Sequence, residues 1–208
     1  GSGGLLLLTA IIAICVAVEA VAVASSLGVL TGGLRRLFYG YGAFWPGLFV
    51  DWRPNFYGQQ VTMFVSYAFL HGGLVHLALN MVTLWSLGTA LLDRYGSGAF
   101  ALIYGVSAIT GAGTYALLST SGLPMVGASG ALFGLAGALL ATMWSDQPTM
   151  REALVLAGRG VLLLIVLNVA LYFALGGRLA WETHLGGFLG GWIVGIGVHR
   201  PLRAGTPP

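Results

Sequence analysis

The chain has almost no charge. Only 7% of its 208 residues are Asp, Glu, Lys or Arg, and Lys does not occur at all. A soluble domain carries about 25% charged residues. Nine Arg and six acids (Glu19, Asp51, Asp93, Asp146, Glu152, Glu182) cannot cover a 21.6 kDa globule in water. A soluble domain and a disordered chain are thereby excluded. The net charge of +3 forms no basic patch, which removes a nucleic-acid partner as well. Cysteine is equally scarce: Cys15 stands alone in an apolar run, so neither a disulfide framework nor a CxxC metal site is available.

What the chain has in quantity is hydrophobic residues, 57%, together with 34 Gly. A membrane span needs about 20 mostly apolar residues. Six segments qualify, near 5–30, 75–92, 100–118, 129–144, 160–175 and 184–198. The expected fold is an all-α membrane protein of six transmembrane helices. Gly1-Ser2-Gly3 reads as the remnant of a cleaved expression tag, 4–203 as a single transmembrane domain and 204–208 as a C-terminal tail. Ala22-Val23-Ala24-Ser25 imitates a signal-peptidase site, but the run before it is too long for a signal sequence, contains Glu19 and lacks a basic start.

The connection from Thr31 to Gln60 is different in kind. It holds nine of the 24 aromatics, with Arg35, Arg36, Asp51 and Arg53. That mixture fits an element lying in the headgroup zone, and equally a folded loop outside the membrane. Among the other connections, Arg94, Arg151, Arg159, Arg200 and Arg203 share one side, five Arg against four on the other. The positive-inside rule puts both termini in the cytoplasm.

Charges also give depth. In the second, fourth and sixth spans, which run in parallel, His76 precedes Asp93 by 17 residues, Ser129 precedes Asp146 by 17, and His184 precedes Arg200 by 16. At about 1.5 Å per residue each lies about 25 Å from the cytoplasmic exit, in a core about 30 Å thick. Asn80 is one turn below His76 on the same face. A shelf of Ser, His, His and Asn at one depth implies a hydrated pocket opening outward.

Ser129 lies in Gly127-Ala128-Ser129-Gly130 at the start of its span, where free N–H groups favour a developing oxyanion. On its own the GxSG string reads as readily as a small-residue helix contact. His184, at the same depth, is the candidate general base for a serine nucleophile. No acid completes a triad, since Glu182 falls on another face; a Ser–His dyad is expected, with Phe133, four residues after Ser129, packed on the imidazole. His76 and Asn80 are the candidate oxyanion donors. A metal held by His71, His76 and His184 is the competing chemistry, but it lacks a carboxylate or Cys ligand, and the His71–His76 spacing suits one helix poorly. No metal and no cofactor are expected. Glu19 and Asn168 stand inside spans without a role, Glu19 reading as a structural group directed toward Arg35 or Arg36.

Three stretches together, His71-Gly72-Gly73-Leu74-Val75-His76-Leu77-Ala78-Leu79-Asn80-Met81, Gly127-Ala128-Ser129-Gly130-Ala131 and His184-Leu185-Gly186-Gly187-Phe188-Leu189-Gly190-Gly191, resemble the rhomboid intramembrane serine proteases. They fall in the family's order, on the second, fourth and sixth spans. The resemblance implies a rhomboid-like bundle of the compact bacterial type in the inner membrane, with the aromatic connection as a membrane-associated first external loop. It implies Ser129 as nucleophile, His184 as base, His76 and Asn80 in the oxyanion hole, and Gly187 and Gly191 letting the sixth helix approach the fourth. It also implies that the fifth span and a cap loop from Arg178 to Thr183 move to admit single-span or multi-span membrane-protein substrates from the lipid bilayer. There are departures: Thr62 and Met63 stand where members often carry Trp-Arg, and Thr183 replaces an Ala before the histidine. The alternative function is a silent rhomboid-like scaffold that binds transmembrane helices; its members usually lack the Ser or the His, and both are present here. A channel or transporter would require repeats or paired broken helices that the sequence does not display.

Overall fold

The computed structural model describes residues 2–174 and 179–199. Over these the chain is built of helices: α1 (Ser2–Ser26), α2 (Leu34–Gly42), α3 (Gln59–Ser66), α4 (Leu74–Leu118), α5 (Ser129–Ser145), α6 (Met150–Ala174) and α7 (Trp181–Val198). Short 3-10 turns occupy Pro46–Phe49 and Tyr67–Phe69. Arg178 in the expected cap loop, Arg200, Arg203 and the tail 204–208 lie outside the described residues.

The second and third expected spans are hydrogen-bonded as one helix, α4, interrupted at one residue. Gly96 has φ 78° and ψ −179°, a conformation that favours glycine. A straight helix would hold Gly88 and Phe100 about 18 Å apart. Instead a Cβ on Gly88 would lie 3.3 Å from the Phe100 ring. The chain therefore folds back at Gly96, and the loop expected between the spans shrinks to a single residue. The two halves, 74–95 and 97–118, are each about 33 Å long, enough to cross a hydrocarbon core.

Two other boundaries differ from the sequence expectation. Helix α6 begins at Met150, ten residues before the expected start at Gly160. Thr149 caps it: the Glu152 N–H donates to Thr149 Oγ1 at 3.3 Å, and that hydroxyl donates to the Glu152 carboxylate at 2.8 Å. A hydropathy reading skips this first stretch because it carries Arg151, Glu152 and Arg159. Helix α7 begins at Trp181, so His184 sits in its first turn and does not open it.

Helix α5 is the centre of the bundle, buried at most positions from Gly130 to Thr142. Helix α7 lies against it and against the second half of α4, using two glycine faces. A Cβ on Gly187 or Gly191 would overlap the carbonyl oxygen of Gly130 or Gly134 on α5, and one on Gly186 would lie 2.6 Å from the Thr110 carbonyl oxygen on α4. Such contact distances require small residues four apart. On the far side, α1 joins α4 in one apolar cluster through Leu8, Ile11 and Cys15.

The outer faces are apolar. Leu6, Val82, Leu163 and Ile193, on four different helices, are 71%, 71%, 68% and 69% exposed. With glycine inside and leucine outside, the bundle is suited to lipid and not to water. At one end, Arg94 pairs with Asp146, and His199 Nε2 lies 3.5 Å from the same carboxylate. The ends of the first half of α4, of α5 and of α7 thus meet at a common level, as the depth argument requires.

The aromatic connection is folded onto the opposite end. Phe44 and Met125 exchange both backbone hydrogen bonds at 2.9 Å, and Gly127 N–H donates to the Tyr67 carbonyl at 3.0 Å. The connection therefore holds the segment that leads into Ser129. Arg35 on α2 donates to Glu19 on α1 at 2.7 Å and to the His71 carbonyl at 3.0 Å, and Tyr39 O–H donates to that carbonyl at 2.9 Å. The Glu19 carboxylate, as hydrogen-bond partner, holds the Arg35 guanidinium above its usual range.

Candidate functional site

Ser129 is the first residue of α5, preceded by Gly127 with φ 124° and by Ala128. Ala128 offers no side-chain acceptor, so the first N–H groups of α5 are uncapped among the described residues. Gly127 also faces His76: a Cβ there would lie 2.8 Å from Cε1 and 2.9 Å from Nε2 of that ring. Any larger residue would be driven into the imidazole and strained at its own backbone.

His184 is buried, and both its ring nitrogens are engaged. Nε2 lies 2.8 Å from Ser129 Oγ, and Nδ1 lies 2.6 Å from Asn168 Oδ1 on α6. The other half of the Asn168 amide, Nδ2, donates to the Leu164 carbonyl at 3.3 Å within its own helix. These contacts agree on one arrangement. An amide oxygen only accepts, so His184 carries its proton on Nδ1 and turns the Nε2 lone pair to the serine hydroxyl. Phe133 stacks flat on the imidazole, with centroids 4.2 Å apart and planes 5° apart.

On α4, the Gly72 N–H donates to His76 Nδ1 at 3.2 Å. That leaves the proton of the neutral ring on Nε2, the edge that faces Gly127 and the turn into Ser129. Asn80 is buried, and its Nδ2 donates to the His76 carbonyl at 2.8 Å, leaving a second N–H on the same nitrogen. His71 is buried with neither ring nitrogen hydrogen-bonded among the described residues, its ring 5.2 Å from that of His76. Burial pushes its titration down to about 3, so the ring is neutral. Its partners bind its carbonyl, which fastens the entry to α4 to α2.

The sequence reading missed Asn168 as a partner of His184, and the depth measure finds it only when counted from Glu152, near the start of α6. Asn168 lies 16 residues after Glu152. At about 1.5 Å per residue that is about 24 Å from the charged end, level with Ser129 and His184. Arg159, the charge nearest the apolar run, lies between Glu152 and Asn168, so the sequence alone does not single out Glu152 as the starting point. Glu19 does meet Arg35, as its reading anticipated.

A helical bundle with apolar outer faces, holding a Ser–His pair on two glycine-packed helices, defines a membrane-embedded domain with a polar site between its helices. The rhomboid domain model matches residues 58–201, and the chain belongs to the rhomboid family of integral membrane proteins. It is similar to the rhomboid protease GluP of Bacillus subtilis (strain 168), 38% identical over 137 residues, covering 66% of this chain and 26% of that protein. It is also similar to RHOMBOID-like protein 5 of Arabidopsis thaliana, 36% identical over 133 residues, covering 64% of this chain and 42% of the relative. With Rhomboid-like protease 3 of Toxoplasma gondii it shares 35% identity over 143 residues, 66% of this chain and 52% of the relative. The chain thus spans about a quarter to a half of the length of these relatives.

Proposed function

We propose that this protein is an intramembrane serine protease that hydrolyses peptide bonds in or near transmembrane segments of other membrane proteins. The observation that carries the reading is the 2.8 Å approach of His184 Nε2 to Ser129 Oγ, at the uncapped start of α5. The six spans of this reading are α1, the two halves of α4, α5, α6 and α7, with α2 and α3 in a membrane-associated external loop. Both termini face the cytoplasm, the site opens toward the outer side, and a bacterial inner membrane is the expected location.

In the first step Ser129 Oγ attacks the scissile carbonyl carbon while its proton passes to His184 Nε2. The new oxyanion receives hydrogen bonds from His76 Nε2–H, the free N–H of Asn80 Nδ2 and the Ser129 backbone N–H. When the tetrahedral intermediate collapses, the leaving amine takes the proton from His184, and the acyl group remains as an ester on Ser129. Water then gives a proton to His184, attacks the ester, and regenerates the serine hydroxyl. A substrate helix hides its backbone carbonyls, so it must unwind locally, which helix-breaking or small residues near the cut favour. The fifth span and the cap before His184 are the elements that would part for it.

The test is cleavage of a single-span model substrate after reconstitution in liposomes, read by product masses. Cleavage at a site inside or bordering the substrate's span, abolished by Ser129→Ala, is the expected result. Intact substrate that nonetheless binds the unaltered protein would instead favour a helix-binding scaffold.

A further inference from the structure

Asn168 is a polar side chain in a helix that is otherwise apolar through its central turns, where Leu163, Ile165, Val166 and Val169 are exposed outward. Its amide is oriented by two bonds of opposite polarity, Oδ1 to His184 Nδ1 and Nδ2 to the Leu164 carbonyl. Rotating the amide by half a turn would set an N–H against the Nδ1 proton and an oxygen against a carbonyl, so the network selects one orientation. The histidine is then gripped on three sides. Phe133 fixes the plane of the ring, the serine hydroxyl occupies Nε2, and Asn168 fixes rotation within the plane through Nδ1.

From this juxtaposition we infer that Asn168 is the positioning residue of His184, filling with a neutral amide oxygen the place that a carboxylate holds in a Ser–His–acid triad. This rests on the serine protease reading above. A general base serves only in the tautomer whose lone pair meets the nucleophile, and a wrong tautomer removes most of the benefit. A neutral acceptor secures that tautomer without placing an unpaired carboxylate in the membrane, where burying a charge is costly. When His184 becomes cationic in the transition state, its Nδ1–H bond to Asn168 becomes charge-assisted and strengthens. The bond also has a structural consequence: Ser129 and Phe133 belong to α5 and His184 to α7, whereas the acceptor is on α6. Alignment of the base thus depends on α6 returning to this place after it has parted to admit substrate.

The experiment compares unaltered protein, Asn168→Leu, Asn168→Ala and Asn168→Asp, with Ser129→Ala as reference, all in detergent. It measures second-order labelling by a fluorophosphonate, kcat and KM on a model substrate, and thermal unfolding. Asn168→Leu and Asn168→Ala should slow labelling and kcat about 10- to 100-fold, within the range of general-base contributions. KM should stay within about 3-fold, and Asn168→Asp, which keeps an acceptor, should recover most of the rate. Folded Leu and Ala variants that label within about 3-fold of the unaltered protein would overturn the assignment. If both fail to fold, the Nδ1–H proton of His184 in the unaltered protein decides. A downfield, slowly exchanging signal is expected, and one exchanging as freely as that of a solvent-exposed imidazole overturns the inference. Labelling that survives Ser129→Ala would overturn the serine protease reading itself, a result distinguishable from failure at Asn168.

Discussion

The phenyl ring of Phe133 lies flat on the imidazole of His184, 4.2 Å between centroids and 5° between planes. Both rings are buried, and they come from the two helices whose glycine faces interlock. In the proposed dyad, the stack makes helix packing part of the alignment of His184. Phe133→Leu stays apolar but loses three carbons and the flat surface, so kcat should fall about 10-fold while stability falls by only about 1–2 kcal/mol. Steady-state kinetics beside a thermal melt checks this; an unchanged kcat would remove Phe133 from the alignment.

The approach of α7 to α5 makes an equally definite prediction. A Cβ at Gly191 would overlap the Gly134 carbonyl oxygen, whereas one at Gly105 would meet nothing within 4 Å. Gly191→Ala should therefore destabilise the bundle by about 2 kcal/mol or more, as overpacking against a rigid backbone does. Gly105→Ala should be neutral or stabilising by up to about 1 kcal/mol, because alanine is the better helix former. Unfolding in detergent, followed by circular dichroism, separates the two, and equal effects would contradict the packing account.

The pair between Glu19 and Arg35 joins α1 to the aromatic connection, with the carboxylate only 1% exposed. Arg35→Met leaves a buried anion without its partner, a change that costs about 3 kcal/mol or more in comparable pairs. Adding Glu19→Gln to that variant should restore part of the loss, since the charge is then gone. A double-mutant cycle on thermal stability measures this coupling. Strictly additive effects would show that the pair contributes nothing as a pair.

Asn80 keeps one N–H bound to the His76 carbonyl and has another on the same nitrogen to offer. Asn80→Ala should lower kcat about 100-fold with KM little changed, the pattern of a group that acts on the oxyanion alone. A parallel rise in KM, with kcat intact, would assign Asn80 to substrate binding instead.

Much of this site can be read from the sequence because charge is so scarce. With Asp93, Asp146 and Arg200 marking the span exits, counting residues set His76, Ser129 and His184 at one depth, and Ser129 and His184 do meet. The resemblance likewise implied that Gly187 and Gly191 let α7 approach α5, and a Cβ at either would overlap a carbonyl oxygen of that helix. Where the reading failed, local chemistry outweighed hydropathy. The Thr149 cap starts α6 before its apolar stretch, and Asn168 was left without a depth or a role. Gly96 turns the chain within one residue, which a hydropathy profile records as a loop. The partner of His184 was sought among acids, and a neutral amide was passed over.

The central claim is that Ser129 is a nucleophile activated by His184. Mass spectrometry of the fluorophosphonate-treated protein tests it most directly. The account predicts a single adduct on the peptide containing Ser129, absent in Ser129→Ala and reduced at least about 100-fold in His184→Ala. An adduct on any other residue, or undiminished labelling of His184→Ala, would contradict it.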